Sequence, residues 1–428
     1  MFSRKKISEI VADYLEALRL FDRNVRLILV SMALFGFTFF GVFATLFNLY
    51  LLRLGLGPEF IGLINGVAGL TYGFSCLPAG VLGRRLGARR VMTAGMGMLV
   101  IGLASASLTD LIPAWQRGWV LATYILAHLG FALYFVNIAP VLMAFTDPQE
   151  RDHVFSTEFA LLPLGAFVGS LAGGLLPGGF AKISSASLDN PAPYRLTLLA
   201  ASLCLTSAIW TLWAVRKVSP QAMHKQESNQ GTVSYALFVV IGLFYLLWMM
   251  GEQGIRIFFN VYLDASLDVP TAQIGVLLAA SQLLSVPAAL VMPLLSARWG
   301  QEHSIVVTAL GMGLSILAVG LIPHRMAAGL GYVAMAAMAA ITRPAIMAFS
   351  QRQVVPEWRS VMSGSISMIA GLGTSAASTA AGYVVSMHGY GALFLASSGI
   401  VAAGVLLFWG YFCALGRKRV HRCQAVGQ

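Results

Sequence analysis

Three charged side chains stand out in an otherwise apolar chain, and together they could bind an anion. Glu252 and Arg256 are four residues apart in one long apolar stretch, and Arg343 lies in another, directly before Pro344. Residues four apart share one face of a helix, so Glu252 and Arg256 can form an ion pair. Two guanidinium groups beside one carboxylate leave a positive charge, which favours paired hydrogen bonds to a carboxylate or phosphate group.

These positions matter because a charge deep in a bilayer costs about 2.5 to 3.5 kcal/mol and usually faces a cavity or a partner. Glu252 is the leading candidate for a proton carrier tuned by Arg256, and the alternative is a static pair of the two. Arg343 is a candidate substrate contact, and its alternative is a gating or packing salt bridge with Glu158. The remaining polar candidates are Gln253, His128 and Asn137. A structural role is the alternative for His128, because a lone histidine in a helix bundle more often forms structural hydrogen bonds than a proton relay.

The elements that must position these residues are membrane-spanning helices. The chain has 428 residues, of which 58% are hydrophobic and only 11% are charged. A helical span needs about 20 apolar residues, and twelve such windows can be placed along the sequence. The short alternating segments of a membrane β-barrel are not seen. The sequence therefore predicts an all-α membrane protein with twelve transmembrane helices.

The formal net charge of +11 is distributed in a way that indicates orientation. Most of the 28 Lys and Arg residues fall in the tails and in loops on the N-terminal side of the membrane. This asymmetry follows the positive-inside rule, so both termini are expected in the cytoplasm and no nucleic-acid partner is implied. We expect an integral protein of a bacterial inner (plasma) membrane. The five basic residues predicted in loops on the opposite side of the membrane are Arg53, Arg117, Lys182, Arg195 and Arg325.

Motifs for other chemistries are missing from the sequence. The four cysteines form no metal or disulfide pattern, and neither a phosphate-binding Gly-rich loop nor His-Glu-x-x-His occurs. We therefore expect no metal, no cofactor, no built-in ATP drive and no enzymatic activity. The first twenty residues are charged throughout, which argues against a cleavable signal peptide.

The two halves of the chain repeat each other in the same order. Six predicted helices separate the two copies of each repeated feature. An even number preserves direction through the membrane, so the halves are related by an axis along the membrane normal. The clearest matches are Phe47-Asn48-Leu49-Tyr50-Leu51 with Phe259-Asn260-Val261-Tyr262-Leu263, Arg85-Leu86-Gly87 with Arg298-Trp299-Gly300, and Ala139-Pro140 with Arg343-Pro344.

The basic stretch Gly80-x-Leu82-x-x-Arg85-x-Gly87-x-Arg89-Arg90 resembles the cytoplasmic loop between helices 2 and 3 of the major facilitator superfamily. The family usually has an aspartate where this chain has Arg84. With the repeat, the resemblance implies the family's architecture, in which two six-helix bundles rock around a central cavity. It also implies that Arg151 and Arg359, each three residues after a proline, belong to loops that latch the cytoplasmic side.

Small residues mark the predicted fifth helix, at Gly165, Gly169, Gly173 and Gly174. Glycines four apart allow helices to approach closely, and the favoured interpretation is helix packing at the interface of the halves. The stretch is similar to the fifth-helix motif of the family's drug–proton antiporters, with Ser170 where those have proline. Leu126 stands where such antiporters often carry arginine in helix 4, which argues against proton antiport.

These observations predict a domain organisation and a function. The organisation is a cytoplasmic amphipathic helix over 1–26, six-helix bundles over 27–216 and 233–416, a linker over 217–232 and a basic tail over 417–428. The favoured function is export of a small amphipathic or anionic molecule by alternating access, with protons as the candidate coupling ion. The alternatives are an uptake permease for an organic anion or sugar, and a non-transporting sensor or lipid scramblase. Besides substrate, the lipid bilayer is the expected partner, and a monomer is the expected state.

Overall fold

The structure is a computed structural model that describes residues 21–147, 150–216, 235–354 and 359–414. The predicted linker over 217–232 and the tail over 417–428 lie outside the described residues, as does the N-terminal helix up to residue 20. Over the described ranges the regular secondary structure is entirely helical, with no strand. The all-α fold predicted from the sequence is confirmed.

Six helices form the first half. The first begins at Arg23, four residues before the predicted start of the bundle at residue 27. The six are α1 (Arg23–Arg53), α2 (Pro58–Leu82), α3 (Ala88–Ser107), α4 (Pro113–Ala144), α5 (Arg151–Ile183) and α6 (Ala192–Ala214).

The second half follows the same plan. Its helices are α7 (Tyr235–Ala265), α8 (Thr271–Ala289, continued by Met292–Trp299), α9 (Gln301–Leu321), α10 (Arg325–Arg352), α11 (359–388) and α12 (390–414). Gly389, with φ 79° and ψ 176°, separates the last two. Ten stretches of the described chain are long and apolar enough to cross a membrane, and two of them, Pro58–Ser107 and Gly364–Phe412, each contain two helices.

The basic stretch after α2 is more helical than the sequence analysis predicts. Gly83–Gly87 form a π-helical turn that joins α2 to α3, and the chain turns at Gly87, where φ is 90°. Gly300, its repeat counterpart, has φ 79° and lies between α8 and α9. Backbone with positive φ favours glycine, so the repeated Arg-x-Gly sequence marks the same turn in both halves.

The arginines predicted to latch one side are partly relocated by the structure. Arg84 and Arg85 are exposed at the turn, as expected for a loop. Arg151 and Arg359, predicted in loops, are instead the first residues of α5 and α11.

Glycine contacts join the two halves along two helix pairs. On α2, Gly69 packs against α11, where an added Cβ would lie 2.9 Å from the carbonyl oxygen of Gly371. On α5, Gly174 faces α8, where an added Cβ would lie 2.8 Å from the Cα of Gly275. Small residues allow such close backbone approach, so the halves pack closely along α2–α11 and α5–α8.

The remaining α5 glycines pack within the first half, which corrects the prediction of one stripe at the interface of the halves. An added Cβ at Gly165 would meet Phe37 N at 3.1 Å, and one at Gly169 would meet Gly41 Cα at 2.9 Å. Gly173 lies beside Thr45, also on α1. Only Gly174 reaches α8, because the stripe winds around α5 and its ends face different neighbours.

At the end of the bundle where α1 and α7 finish, two asparagines join the halves. Asn48 Nδ2 donates to the carbonyl oxygen of Ile257 at 2.8 Å, and Asn260 Nδ2 donates to that of Thr45 at 2.9 Å. Each asparagine thus bonds to the carbonyl three residues before the other. We call Asn48 and Asn260 the asparagine clasp, and this end of the bundle the closed end.

An ion pair stands beside the asparagine clasp. Both terminal nitrogens of Arg53 donate to the carboxylate of Asp264, each at 2.8 Å. The two side chains are largely buried, with 17% and 11% of their surface exposed. This bidentate pair links α1 to α7, so it closes the same end as the asparagine clasp.

The opposite end, where α1 begins and α12 ends, is open between α4 and α10. These helices expose matching faces there, three residues from each, at positions that the sequence repeat relates to one another. The exposed residues are Ala139, Met143 and Ala144 on α4, and Arg343, Met347 and Ala348 on α10. The cleft between the halves therefore opens at the end where α1 begins and α12 ends, which we call the open end.

Replacing Asp264 with asparagine is expected to open the closed end more often, because Arg53 loses its charged partner. Hydrogen bonds to charged groups contribute about 1.5 to 3 kcal/mol, and Asn keeps part of this, so we expect a roughly 5- to 30-fold rise in opening. The measurement is the rate at which a membrane-impermeant maleimide labels a cysteine at buried Thr45, in a chain without its natural cysteines.

Asp268→Asn is the matched control for this experiment. It removes an acidic side chain from the same end of the bundle, at an exposed position without an ion pair among the described residues. Equal labelling rates in the two variants would show that the Arg53–Asp264 pair does not hold this end closed.

Candidate substrate site

The three charged residues singled out in the sequence meet in one cluster between α7 and α10. Arg256 donates to Glu252 Oε1 through Nη2 at 2.7 Å and through Nε at 3.2 Å. Arg343 Nη2 donates to Oε2 at 2.8 Å and to Oε1 at 3.0 Å. Two guanidinium groups therefore share one carboxylate, and we call Glu252, Arg256 and Arg343 the Glu252 cluster.

The Glu252 cluster is buried on the carboxylate side and accessible on the guanidinium side. Glu252 has no exposed surface, whereas the side chains of Arg256 and Arg343 keep 34% and 46% of theirs. With all three groups ionised the net charge is +1. Arg343 uses only Nη2 for hydrogen bonding within the described part of the chain. Its other N–H groups can thus bind a carboxylate or phosphate in the cleft.

Aromatic rings fix the orientation of Arg343. The guanidinium carbon lies 5.7 Å from the centre of the buried Trp248 ring, a distance that allows a cation–π interaction. Tyr245 stacks on Trp248 with ring centres 5.8 Å apart. Trp248 Nε1 is buried and has no hydrogen-bond partner among the residues that the structure describes. The arginine is held between a carboxylate and an indole.

Arg343 pairs with a different carboxylate from the one that the sequence suggested. Glu158, the alternative partner, lies on α5 and forms no ion pair within the described ranges. Arg343 binds Glu252 instead, and the expected Glu252–Arg256 pair is also formed. The static pair is thus part of a larger group that spans two helices.

Two of the predicted polar candidates, His128 and Gln253, lie outside the Glu252 cluster. His128 Nδ1 lies 3.0 Å from the carbonyl oxygen of Tyr124, and since a carbonyl only accepts, Nδ1 carries the hydrogen. His128 is almost fully buried among aromatic rings. Gln253 is only partly buried on α7. Neither belongs to the Glu252 cluster.

Asn137 is placed away from the cleft, contrary to its prediction as a substrate contact. It is 1% exposed and lies at the break in α4, where its Nδ2 donates to the carbonyl oxygens of Leu133 at 2.9 Å and Ala79 at 3.2 Å. An added Cβ at Gly83 would collide with this side chain. Asn137 therefore joins α4 to α2 and supports the fold.

Sequence reasoning missed a group of partly exposed rings on the first half. α1 is π-helical over Gly36–Phe43, a segment with the sequence GFTFFGVF. Its phenylalanines contact aromatic rings on α2 and α4. These helices are far apart in the sequence, so no short motif could reveal the contact. The signal available in the sequence was the density of phenylalanine in this segment. We call the following residues the aromatic wall: Phe39, Phe40, Tyr72, Phe131 and Phe135.

Two helical halves joined at one end around a central charged cluster define a membrane transporter. The chain belongs to the major facilitator superfamily, because the model of that family matches residues 27–251 and 237–422. The family is one of transporters and, in general, not of enzymes. The resemblance noted from the basic stretch and the repeat is thereby confirmed.

Individual relatives are distant. The chain is 24% identical over 307 residues to "Multidrug resistance protein MdtH" of Shigella flexneri serotype 5b (strain 8401), covering 71% of this chain and 70% of that one. The crystal structure of nucleoside transporter NupG matches with TM-score 0.68 and 14% identity, over 91% and 98% of the two chains. That of the human organic anion transporter MFSD10 (TETRAN) matches with TM-score 0.60 and 15% identity, over 90% and 99%. At these identities the structural matches show the fold alone.

Proposed function

We propose that this protein exports small amphipathic or anionic organic molecules by alternating access, and that the Glu252 cluster binds their negative group. The observation that carries the proposal is the pair of accessible guanidinium groups that share one buried carboxylate. Their repeat counterparts Ala44 and Ala139 are uncharged, so the repeated fold itself does not require them. The printed name of the Shigella relative, a multidrug resistance protein, supports export.

On this proposal the protein is a monomer in a bacterial inner membrane, with both termini in the cytoplasm. The open end then faces the cytoplasm, which suits loading for export. The arginines near that end, among them Arg84, Arg85, Arg89, Arg90, Arg151 and Arg359, would latch it when the transporter turns outward. Arg151 Nε is buried without a partner among the described residues, which suits a partner gained in another state.

Glu252 is assigned the role of holding the two arginines in place. Its role as a proton carrier stays a prediction, and proton coupling remains the candidate source of energy. Four hydrogen bonds from two guanidinium groups support the holding role. The two roles predict opposite results for the substitution of Glu252 by glutamine.

Arg343→Gln is expected to weaken anion binding roughly 10- to 100-fold, since hydrogen bonds to charged groups contribute about 1.5 to 3 kcal/mol. The measurement is thermal stabilisation of the purified protein by carboxylates and phosphate monoesters, each paired with a neutral amide or alcohol of the same shape. Arg352→Gln, an exposed arginine on the same helix, is the matched control. Equal stabilisation by the neutral compounds, or by anions in the Arg343 variant, would contradict the proposal.

Exchange of a stabilising anion across proteoliposome membranes then tests transport itself. Counterflow of the radiolabelled anion is expected from the wild-type chain and not from Arg343→Gln. Binding without any exchange would favour the sensor alternative.

A further inference from the structure

We infer that the anion carries a flat aromatic body, which packs on the aromatic wall while its negative group binds the Glu252 cluster. This inference rests on the proposed function and adds the second half of the ligand. It depends on the rings of the first half, on the direction in which they face, and on the comparison of the two halves.

The aromatic wall is a continuous surface centred on Phe131. The ring of Phe131 stacks on Tyr72 with centres 4.6 Å apart, and its centre is 5.0 Å from Phe39 and 5.3 Å from Phe135. These rings are partly exposed, whereas Phe35 behind them is fully buried. The wall therefore has a packed back and an accessible front, as ligand-binding aromatic surfaces do.

Its front faces the second half of the molecule. Tyr72 is seven residues after Asn65, so both lie on the same face of α2. Asn65 Nδ2 donates to Asn48 Oδ1 at 3.1 Å, and Asn48 in turn reaches the backbone of α7. The face of α2 that carries Tyr72 is thus turned toward α7, the helix that carries Glu252 and Arg256.

The other sides of α1 and α4 are already occupied by helices of the same half. α1 packs on α5 at Gly169 and on α6, where Thr38 Oγ1 donates to the carbonyl oxygen of Ala201 at 3.2 Å. α4 packs on α3 where Gly130 meets Gly95. The rings of the wall therefore occupy the side that remains, toward the cleft.

The repeat shows that the halves differ in chemistry on a shared frame. In each half a phenylalanine of the first helix stacks on a tyrosine of the fourth, Phe47 on Tyr124 at 4.6 Å and Phe259 on Tyr332 at 3.9 Å. Seven residues before Phe47 and Phe259, the sequence repeat pairs Phe40 with Glu252. One side of the cleft is aromatic where the other is charged.

A cleft with these two sides is complementary to an amphipathic anion. The ring of such a ligand would form offset or edge-to-face contacts with the aromatic wall. Its negative group would accept hydrogen bonds from the guanidinium groups of Arg256 and Arg343. A small aliphatic anion would use only the Glu252 cluster. A lipophilic cation would meet the net positive charge of that cluster and be disfavoured.

The test compares three probes, 2-naphthoate, acetate and neutral 2-naphthamide, by isothermal titration of the purified full chain. We expect 2-naphthoate to bind more tightly than either of the others. Phe131→Leu keeps an apolar side chain but removes the central ring, so it should weaken 2-naphthoate binding roughly two- to tenfold and leave acetate unaffected. Phe131→Tyr keeps the ring and should bind 2-naphthoate like the wild type. If Phe131→Leu fails to fold, Tyr72→Leu at the edge of the wall replaces it.

The outcomes separate this inference from the function on which it rests. Acetate and 2-naphthoate binding equally, or 2-naphthoate binding unchanged by the leucine variants, would overturn the aromatic wall and leave the anion site standing. Equal binding of 2-naphthamide, or 2-naphthoate binding unaffected by Arg343→Gln, would overturn the anion site itself. Absence of binding by any probe would count against both.

Discussion

Glu252→Gln is expected to lower the free energy of unfolding by about 1.5 to 3 kcal/mol, the range for hydrogen bonds to charged groups, because the two arginines that lose the carboxylate keep 34% and 46% of their side-chain surface exposed. Glu252 is fully buried and is the shared acceptor of Arg256 and Arg343. Its loss leaves two cations within the bundle without a counter-charge. The measurement is unfolding by SDS in mixed micelles, together with the melting temperature in detergent.

Glu158→Gln is the matched control, because Glu158 is a partly buried carboxylate without an ion pair in the described ranges. We expect its effect to be much smaller. A proton carrier at position 252 predicts the reverse pattern, with stability retained in Glu252→Gln and gradient-driven transport lost while counterflow persists. A stable Glu252→Gln protein of this kind would remove the holding role proposed for Glu252.

Gly169→Ala is expected to destabilise the first half by about 1 to 3 kcal/mol, the usual cost of overpacking. The added methyl group would lie 2.8 Å from the carbonyl carbon of Phe37 and 2.9 Å from Gly41 Cα. These are backbone atoms of α1, so they cannot rotate away as a side chain could. α1 and α5 must separate, and the melting temperature of the purified protein should fall.

The same helix provides the control for this substitution. An alanine at Gly178 would have no heavy atom within 4 Å of its methyl group. Because alanine has the higher helix propensity, Gly178→Ala should be neutral or slightly stabilising. If both alanine variants melted at the wild-type temperature, the close approach of α1 and α5 would not be a constraint on stability.

Most of the fold could be predicted from local and repeated patterns in the sequence. The Glu252–Arg256 pair follows from helical spacing alone, and the structure contains it. The repeat likewise identified Gly87 and Gly300 as equivalent, and both have positive φ. Such features are predictable because they depend on neighbours within two helical turns or on a second copy of the same segment.

Contacts between distant helices were not predictable in the same way. Arg343 is 91 residues from Glu252, and its choice over Glu158 depends on how α7 and α10 pack. Asn137 is a polar residue in an apolar helix, as a site residue would be, but at the break in α4 its side chain bonds to α2. The glycines of α5 predicted close approach without naming the helix that approaches. The sequence therefore shows that a residue can form a contact, but the partner depends on how the helices pack.

The asparagine clasp has a consequence for how the two halves recognise each other. Each half offers one amide and one carbonyl to the other in the same geometry, which is an isologous contact. Such a contact would be satisfied equally well by two identical halves. Arg53 and Asp264 lack this property, because their counterparts in the repeat are Ala265 and Leu52. At the closed end, the asparagine clasp thus has the two-fold geometry of a homodimer interface, and the Arg53–Asp264 pair departs from that symmetry.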